Sequence, residues 1–371
     1  MKSQMAMIAI VTVLLACGVS VSAEEITAVS LKTLLTKVIE KHEHPGGMGV
    51  LVVHDGKIKA QATAGKRHHR KENLITDQDL FHLGSCTKAM TGTLIGLAVQ
   101  RGELKFDSTL GELLADWEIH NDFKTVTVKQ LLHHRSGLKA NASVTEMLLK
   151  RAVKDEQGKI KQRRDVLQPV LKEAPEYAPD TNDTYSNLGY ILLGHLLERQ
   201  SGKAWETLMR EQIFEPLGMK SAGFGPVKSS KNVTQPYGHV RNAMKVPAAV
   251  EGDNPPFLGP AGTVHASLED WSKFIVAHFS AESNPLGLTE ETLKALHTPG
   301  PDRYAAGWVI FFPNKPEPVL FHNGSNTMWY CAVCFIPTRK EAVLVTSNAF
   351  EQKPVHEVMK KLLSIPIQLE P

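Results

Sequence analysis

The chain has 371 residues, 42% of them hydrophobic, and a formal net charge of +3. It is long enough to bury a large core, and its charge is too near balance to argue for nucleic acid. Length alone suggests two domains, but a large mixed fold forms one unit at this size.

Lys2 precedes an apolar run over residues 5–16 that is broken only by Thr12. The run is too short to span a bilayer as a helix. Val21-Ser22-Ala23 offers a small-residue cleavage site before Glu24-Glu25, so residues 1–23 read as an export signal. Leu14-Leu15-Ala16-Cys17 gives the alternative: it partly resembles a lipoprotein cleavage box with Cys17 as the lipid-bearing residue. The expected location is periplasmic or secreted, at the envelope if Cys17 is the anchor.

Leu31, Leu34, Leu35, Val38 and Ile39 fall on one helical stripe. Residues 49–53, a turn at Asp55-Gly56 and residues 58–63 read as a hairpin. The basic run Lys66-Arg67-His68-His69-Arg70-Lys71 reads as a solvated loop, and its histidine pair lacks a partner at ligand spacing, so no metal is expected. Residues 88–219 are mainly helical, with a dense charge run over 150–164. Residues 319–321, 329–336 and 342–347 read as three strands, and Pro354 opens a last helix with Val355, Val358, Met359, Leu362 and Leu363 on one stripe.

The expected fold class is α+β. One antiparallel five-stranded sheet, built from both chain ends and flanked by the terminal helices, takes residues 24–84 and 235–371. An inserted helical lobe takes 85–234. Cleavage after Ala23 leaves Cys86, Cys331 and Cys334, an odd number and no disulfide framework. Cys331 and Cys334 share a strand at an offset of three, which puts them on opposite faces.

Three short motifs carry chemistry: Ser85-Cys86-Thr87-Lys88, Tyr185-Ser186-Asn187 and His322-Asn323-Gly324. On a helix, Ser-x-x-Lys sets a hydroxyl and an amine on one face, a turn apart. A serine is a weak nucleophile until a base takes its proton, and an unprotonated lysine can be that base. Alone the motif is common on solvated helices. Here Gly84-Ser85 leads into an apolar segment, and Gly102 stands where a helix-ending left-handed residue belongs.

With its neighbours, the nucleophile segment resembles that of the β-lactamase-related serine hydrolases. This superfamily holds class C β-lactamases, low-molecular-weight D-alanyl-D-alanine carboxypeptidases and esterase relatives. Residues 80–88, 102–107, 128–138, 185–190, 215–219, 259–264 and Gly307-Trp308 continue the resemblance over nearly the whole chain after the signal. The resemblance implies that Ser85 attacks a carbonyl and becomes acylated, while Lys88 and Tyr185 share the proton work. It implies that Asn187 binds the substrate amide or places the lysine. The backbone N–H groups of Ser85 and Ser325 would form the oxyanion hole, with substrate lying along Gly324. No cofactor is implied, and the implied partner is a small-molecule or peptidoglycan-derived substrate.

Two departures bear on substrate. His322 stands where many relatives carry lysine, and residues 325–329 lack a glycine that many relatives have there. Three functions stay open: a hydrolase of esters, D-amino-acid peptides or β-lactams; a penicillin-binding protein with little turnover; and a non-catalytic module retaining the fold.

Overall fold

A computed structural model of the chain describes residues 26–143, 153, 155–229, 232–240 and 252–363. The export segment, Cys17 and part of the 150–164 charge run lie outside the described residues.

Thr27 caps the first helix, α1 (Ala28–Lys41), by exchanging hydrogen bonds with Ser30, and Leu31, Leu35 and Val38 are buried along one side. Strands β1 (Gly47–His54) and β2 (Lys57–Gly65) follow as the expected hairpin. Its two turn residues, Asp55 at φ 49° and Gly56 at φ 72°, are both left-handed, the geometry whose twist suits a two-residue hairpin. Two residues of β3 (Phe81–His82) lead to the helix α2 (Thr87–Gln100). The remaining strands are β4 (Gly223–Phe224), β5 (Val264–Ala266), β6 (Val309–Phe311), β7 (Val319–Ser325), β8 (Tyr330–Ile336) and β9 (Glu341–Ser347).

The main sheet is antiparallel with strand order β2-β1-β9-β8-β7-β6, and a small second sheet runs β3-β5-β4. The main sheet therefore has six strands where five are expected. The extra edge strand, β6, is three residues long, too short to display an alternating pattern.

The period-two alternation of the strands divides the core. Val50, Val52, Ala332, Cys334, Val343 and Val345 face α1 and the last helix, Gln352–Leu362. Leu51, Val53, Cys331, Val333, Phe335 and Leu344 face the other way, into the larger core shared with α2 and the helical part. Cys331 and Cys334 thus lie on opposite faces. From Thr87 to Ala98 every residue of α2 is buried, on all sides of the helix, as a mainly apolar helix without a polar face must be. Gly102, at φ 74°, follows its C-cap. The nucleophile segment enters this buried helix where it abuts the edge half of the sheet.

Burial holds His44, His133, His239, His297 and His356 neutral, each lowered to about 4. The unfolded chain takes up these protons near pH 6.5, so between about pH 6.5 and 4 it binds more protons than the folded state. Stability therefore falls as pH falls through that window. The melting temperature is expected to drop by about 5 °C or more from pH 7.5 to pH 5. Differential scanning calorimetry checks this, and a flat profile contradicts it.

Candidate active site

Leu83 N–H donates to Val264 O, fixing the chain between β3 and a 3-10 turn over Gly84–Cys86 that runs directly into α2. This geometry puts Ser85 on the turn and Lys88 in the first helical turn. Lys88 is wholly buried, whereas Ser85 is partly open.

Lys88 Nζ has three oxygen neighbours: Ser85 Oγ at 3.2 Å, Asn187 Oδ1 at 2.7 Å and Ala261 O at 2.7 Å. The amide and carbonyl oxygens can only accept. A neutral amine has two N–H groups, which these acceptors use, and one lone pair, which is left for the serine hydroxyl. Burial holds the Lys88 amine well below the ordinary lysine range, because the charged form loses its hydration. The Tyr185 ring lies 4.7 Å from Nζ and favours the ammonium, but desolvation is the larger effect.

Tyr185 precedes the Asn187–Ser201 helix, whose N-cap is Ser186. Burial pushes the Tyr185 phenol up, partly offset by its hydrogen bond with Ser85. It stays protonated near neutrality, so it is a donor rather than a base. Both ends of the Asn187 amide have a partner: Oδ1 accepts from Lys88 and Nδ2 donates to Asn141 Oδ1 at 2.7 Å. Of the two roles implied for Asn187, this geometry suits placing the lysine.

Strand β7 packs on the nucleophile turn closely enough to exclude side chains. A Cβ on Gly324 would lie 2.0 Å from Leu83 O and 2.8 Å from Ser85 N, and one on Gly84 would lie 2.2 Å from Ser325 N. Gly84 also has φ 49°. These two glycines bring the backbone amides of Ser85 and Ser325 to one junction. Gly324→Ala is expected to lower turnover at least a hundredfold, a loss of the size seen when an oxyanion donor is removed. Steady-state assay of the folded variant checks this, and near-normal turnover would contradict the tight junction.

His322 is buried on β7. Its Nδ1–H donates to Asn323 O at 2.5 Å and its Nε2 accepts from the Tyr304 hydroxyl at 2.9 Å. Burial lowers its pKa to about 3. A neutral ring with both nitrogens engaged offers a substrate carboxylate no free cation.

Sequence reasoning missed two participants. Tyr304 holds His322, and only its nearness to Gly307-Trp308 hinted at it. His134 packs 4.4 Å from both Tyr185 and Tyr304, ring to ring. Its Nδ1 accepts from Ser186 N–H at 3.1 Å, which locks the segment carrying Tyr185 and Asn187. Cys86 takes a packing role: its Sγ is buried 3.6 Å from that of Cys331, which itself donates to Leu83 O. Among the described residues no group of three His, Cys, Asp or Glu is placed to hold a metal.

The profile of the Beta-lactamase family matches residues 32–364. The chain belongs to the Beta-lactamase family. It is 27% identical over 325 residues to "Beta-lactamase" of Escherichia coli K12, covering 84% of this chain and 77% of that one. It is 26% identical over 328 residues to "Unguisins hydrolase ungD'" of Aspergillus campestris, covering 82% of this chain but 59% of that longer protein. A class C β-lactamase structure from Rhodobacter sphaeroides superposes with a TM-score of 0.69 at 19% identity, covering 90% of this chain and 98% of that one, and shares the fold. Relatives in this family are serine hydrolases, and the α+β fold is theirs.

Lys88 must be neutral to accept a proton, so activity should rise with pH along a limb set by an amine well below 10.5. Lys88→Arg should abolish that limb with nearly all turnover, because arginine does not deprotonate. Tyr185→Phe should lose most activity at every pH. Rate profiles from pH 5 to 10 check both, and normal turnover in Lys88→Arg is incompatible with the role.

Proposed function

We propose that this family member is an acyl-enzyme hydrolase with Ser85 as nucleophile, and that it prefers neutral esters to substrates needing a carboxylate anchor. The observation carrying the reading is the hydrogen-bond count at Lys88: two neighbours can only accept, and the third is the serine hydroxyl. In acylation, Lys88 takes the Ser85 proton as Oγ attacks the substrate carbonyl, and the alkoxide-like oxygen forms against the Ser85 and Ser325 amides. Tyr185, protonated beside Ser85, is placed to donate to the leaving alkoxide; in deacylation the resulting phenolate takes the proton of the attacking water, and Lys88 returns the serine proton to Oγ as it leaves. The enzyme would act after export by residues 1–23, on a small-molecule ester.

The preference rests on His322. A lysine there would give a substrate carboxylate a charge-assisted hydrogen bond, about twice as strong as a neutral one. His322 instead spends both nitrogens inside the protein. Neutral esters lose nothing by this. That a relative is named for hydrolysing unguisins fits a site not confined to β-lactams.

Wild type should label stoichiometrically with a fluorophosphonate, and Ser85→Ala should neither label nor turn over p-nitrophenyl butyrate. Intact mass after a fluorescent penicillin separates turnover from an acyl-enzyme that merely accumulates. Full esterase activity in pure Ser85→Ala would overturn the nucleophile. A kcat/KM for nitrocefin of about 10⁶ M⁻¹s⁻¹ or more would overturn the preference.

A further inference from the structure

Each of the two amides assigned to the oxyanion hole sits beside a residue held by one carboxylate. We infer that Asp253 is the positioning residue that sets the distance between the Ser85 and Ser325 amides. This rests on the acyl-enzyme reading of Ser85.

On the nucleophile side, His82 lies three residues before Ser85. Its Nδ1 accepts from Gly84 N–H at 3.0 Å, shaping the turn, so the ring proton is on Nε2. That nitrogen faces Asp253 Oδ1 at 2.8 Å, with both side chains almost wholly buried. On the strand side, Asn326 follows Ser325. Its Nδ2 donates to the same Asp253 Oδ1 at 3.0 Å, while its Oδ1 accepts from Met328 and Trp329 N–H.

The strand side needs such an anchor. Thr327, the next residue, has φ 74°, a backbone region that a β-branched side chain rarely adopts and that costs about 1–3 kcal/mol. Thr327 N–H donates to Ser325 Oγ at 2.8 Å, which ties the strained turn to the oxyanion residue. Asn326, buried and tied to Asp253, anchors that turn.

The neighbouring residue extends the clamp to the base. Asn254 N–H donates to Asp253 Oδ1 at 2.7 Å, and its Nδ2 donates to Gly262 O at 2.8 Å. Gly262 follows Ala261, whose carbonyl receives Lys88. Residues 253–254 thus touch the supports of the nucleophile turn, the oxyanion strand and the lysine, without themselves contacting Ser85 Oγ or Lys88 Nζ.

Two donors, Asn326 Nδ2 and Asn254 N–H, reach Asp253 Oδ1, and His82 Nε2 lies 2.8 Å from it. An amide in its place keeps the shape but loses the charge that holds them together. Asp253→Asn is therefore expected to lower kcat for p-nitrophenyl butyrate about tenfold to a hundredfold, less than outright loss of a donor, with KM changed no more than about threefold. Phenylboronic acid, which places a negatively charged oxygen where the oxyanion forms, should bind more weakly by a factor close to the fall in kcat. Asn326→Ala should show the same split, and the double variant should lose less than the product of the two single losses, because both remove the Asp253–Asn326 contact. Unchanged kcat and boronate affinity in Asp253→Asn, a loss confined to KM, or additive losses would each overturn the assignment. Ser85→Ala is assayed alongside: if it stays active the nucleophile is wrong, whereas an inactive Ser85→Ala with a fully active Asp253→Asn sinks the clamp alone.

Discussion

The desolvation of one amine governs the chemistry of this molecule. A lysine on the surface is an ammonium and cannot accept a proton at neutral pH. Lys88 lies inside a helix start enclosed by the sheet, the helical part and the short helix Gly259–Gly262, where water cannot stabilise the charge. Asn187 Oδ1 and Ala261 O then use the N–H groups of the neutral form and leave its lone pair toward Ser85. The buried α2 serves this end, because only a buried helix carries its first turn into such an environment.

A second constraint is the contact between β7 and the nucleophile turn. Distances of 2.0–2.2 Å from hypothetical Cβ positions to backbone atoms leave no room for side chains at Gly84 and Gly324. Backbone therefore meets backbone there, and two amides from distant parts of the chain meet at one junction. The same closeness makes the junction intolerant of small shifts, which explains why Asn326 is buried and anchored beside a strained Thr327.

The aromatic surroundings act through tautomers. His134 accepts from Ser186 N–H, and His322 accepts from Tyr304 while donating to Asn323 O. Burial suppresses the charge of both rings. Around an amine that burial holds neutral, uncharged histidines avoid the repulsion that fixed cations would add.

The sequence by itself determined what is local or periodic. Strand alternation placed Cys331 and Cys334 on opposite faces, Asp55-Gly56 marked the hairpin turn, and Gly102 marked the end of α2. The spacing of Ser85 and Lys88 set the hydroxyl and amine within one turn, since helical geometry fixes that distance whatever surrounds it. Tertiary structure alone decided the rest. The six-strand count depends on β6, whose three residues become a strand only by pairing with β7. The roles of Tyr304, His134 and Asp253 depend on contacts across 18, 52 and 73 positions of sequence, and no local pattern encodes which polar side chain meets which. The neutrality of Lys88 and His322 belongs to this second class too, because ionisation follows burial, and burial is a property of the assembled fold.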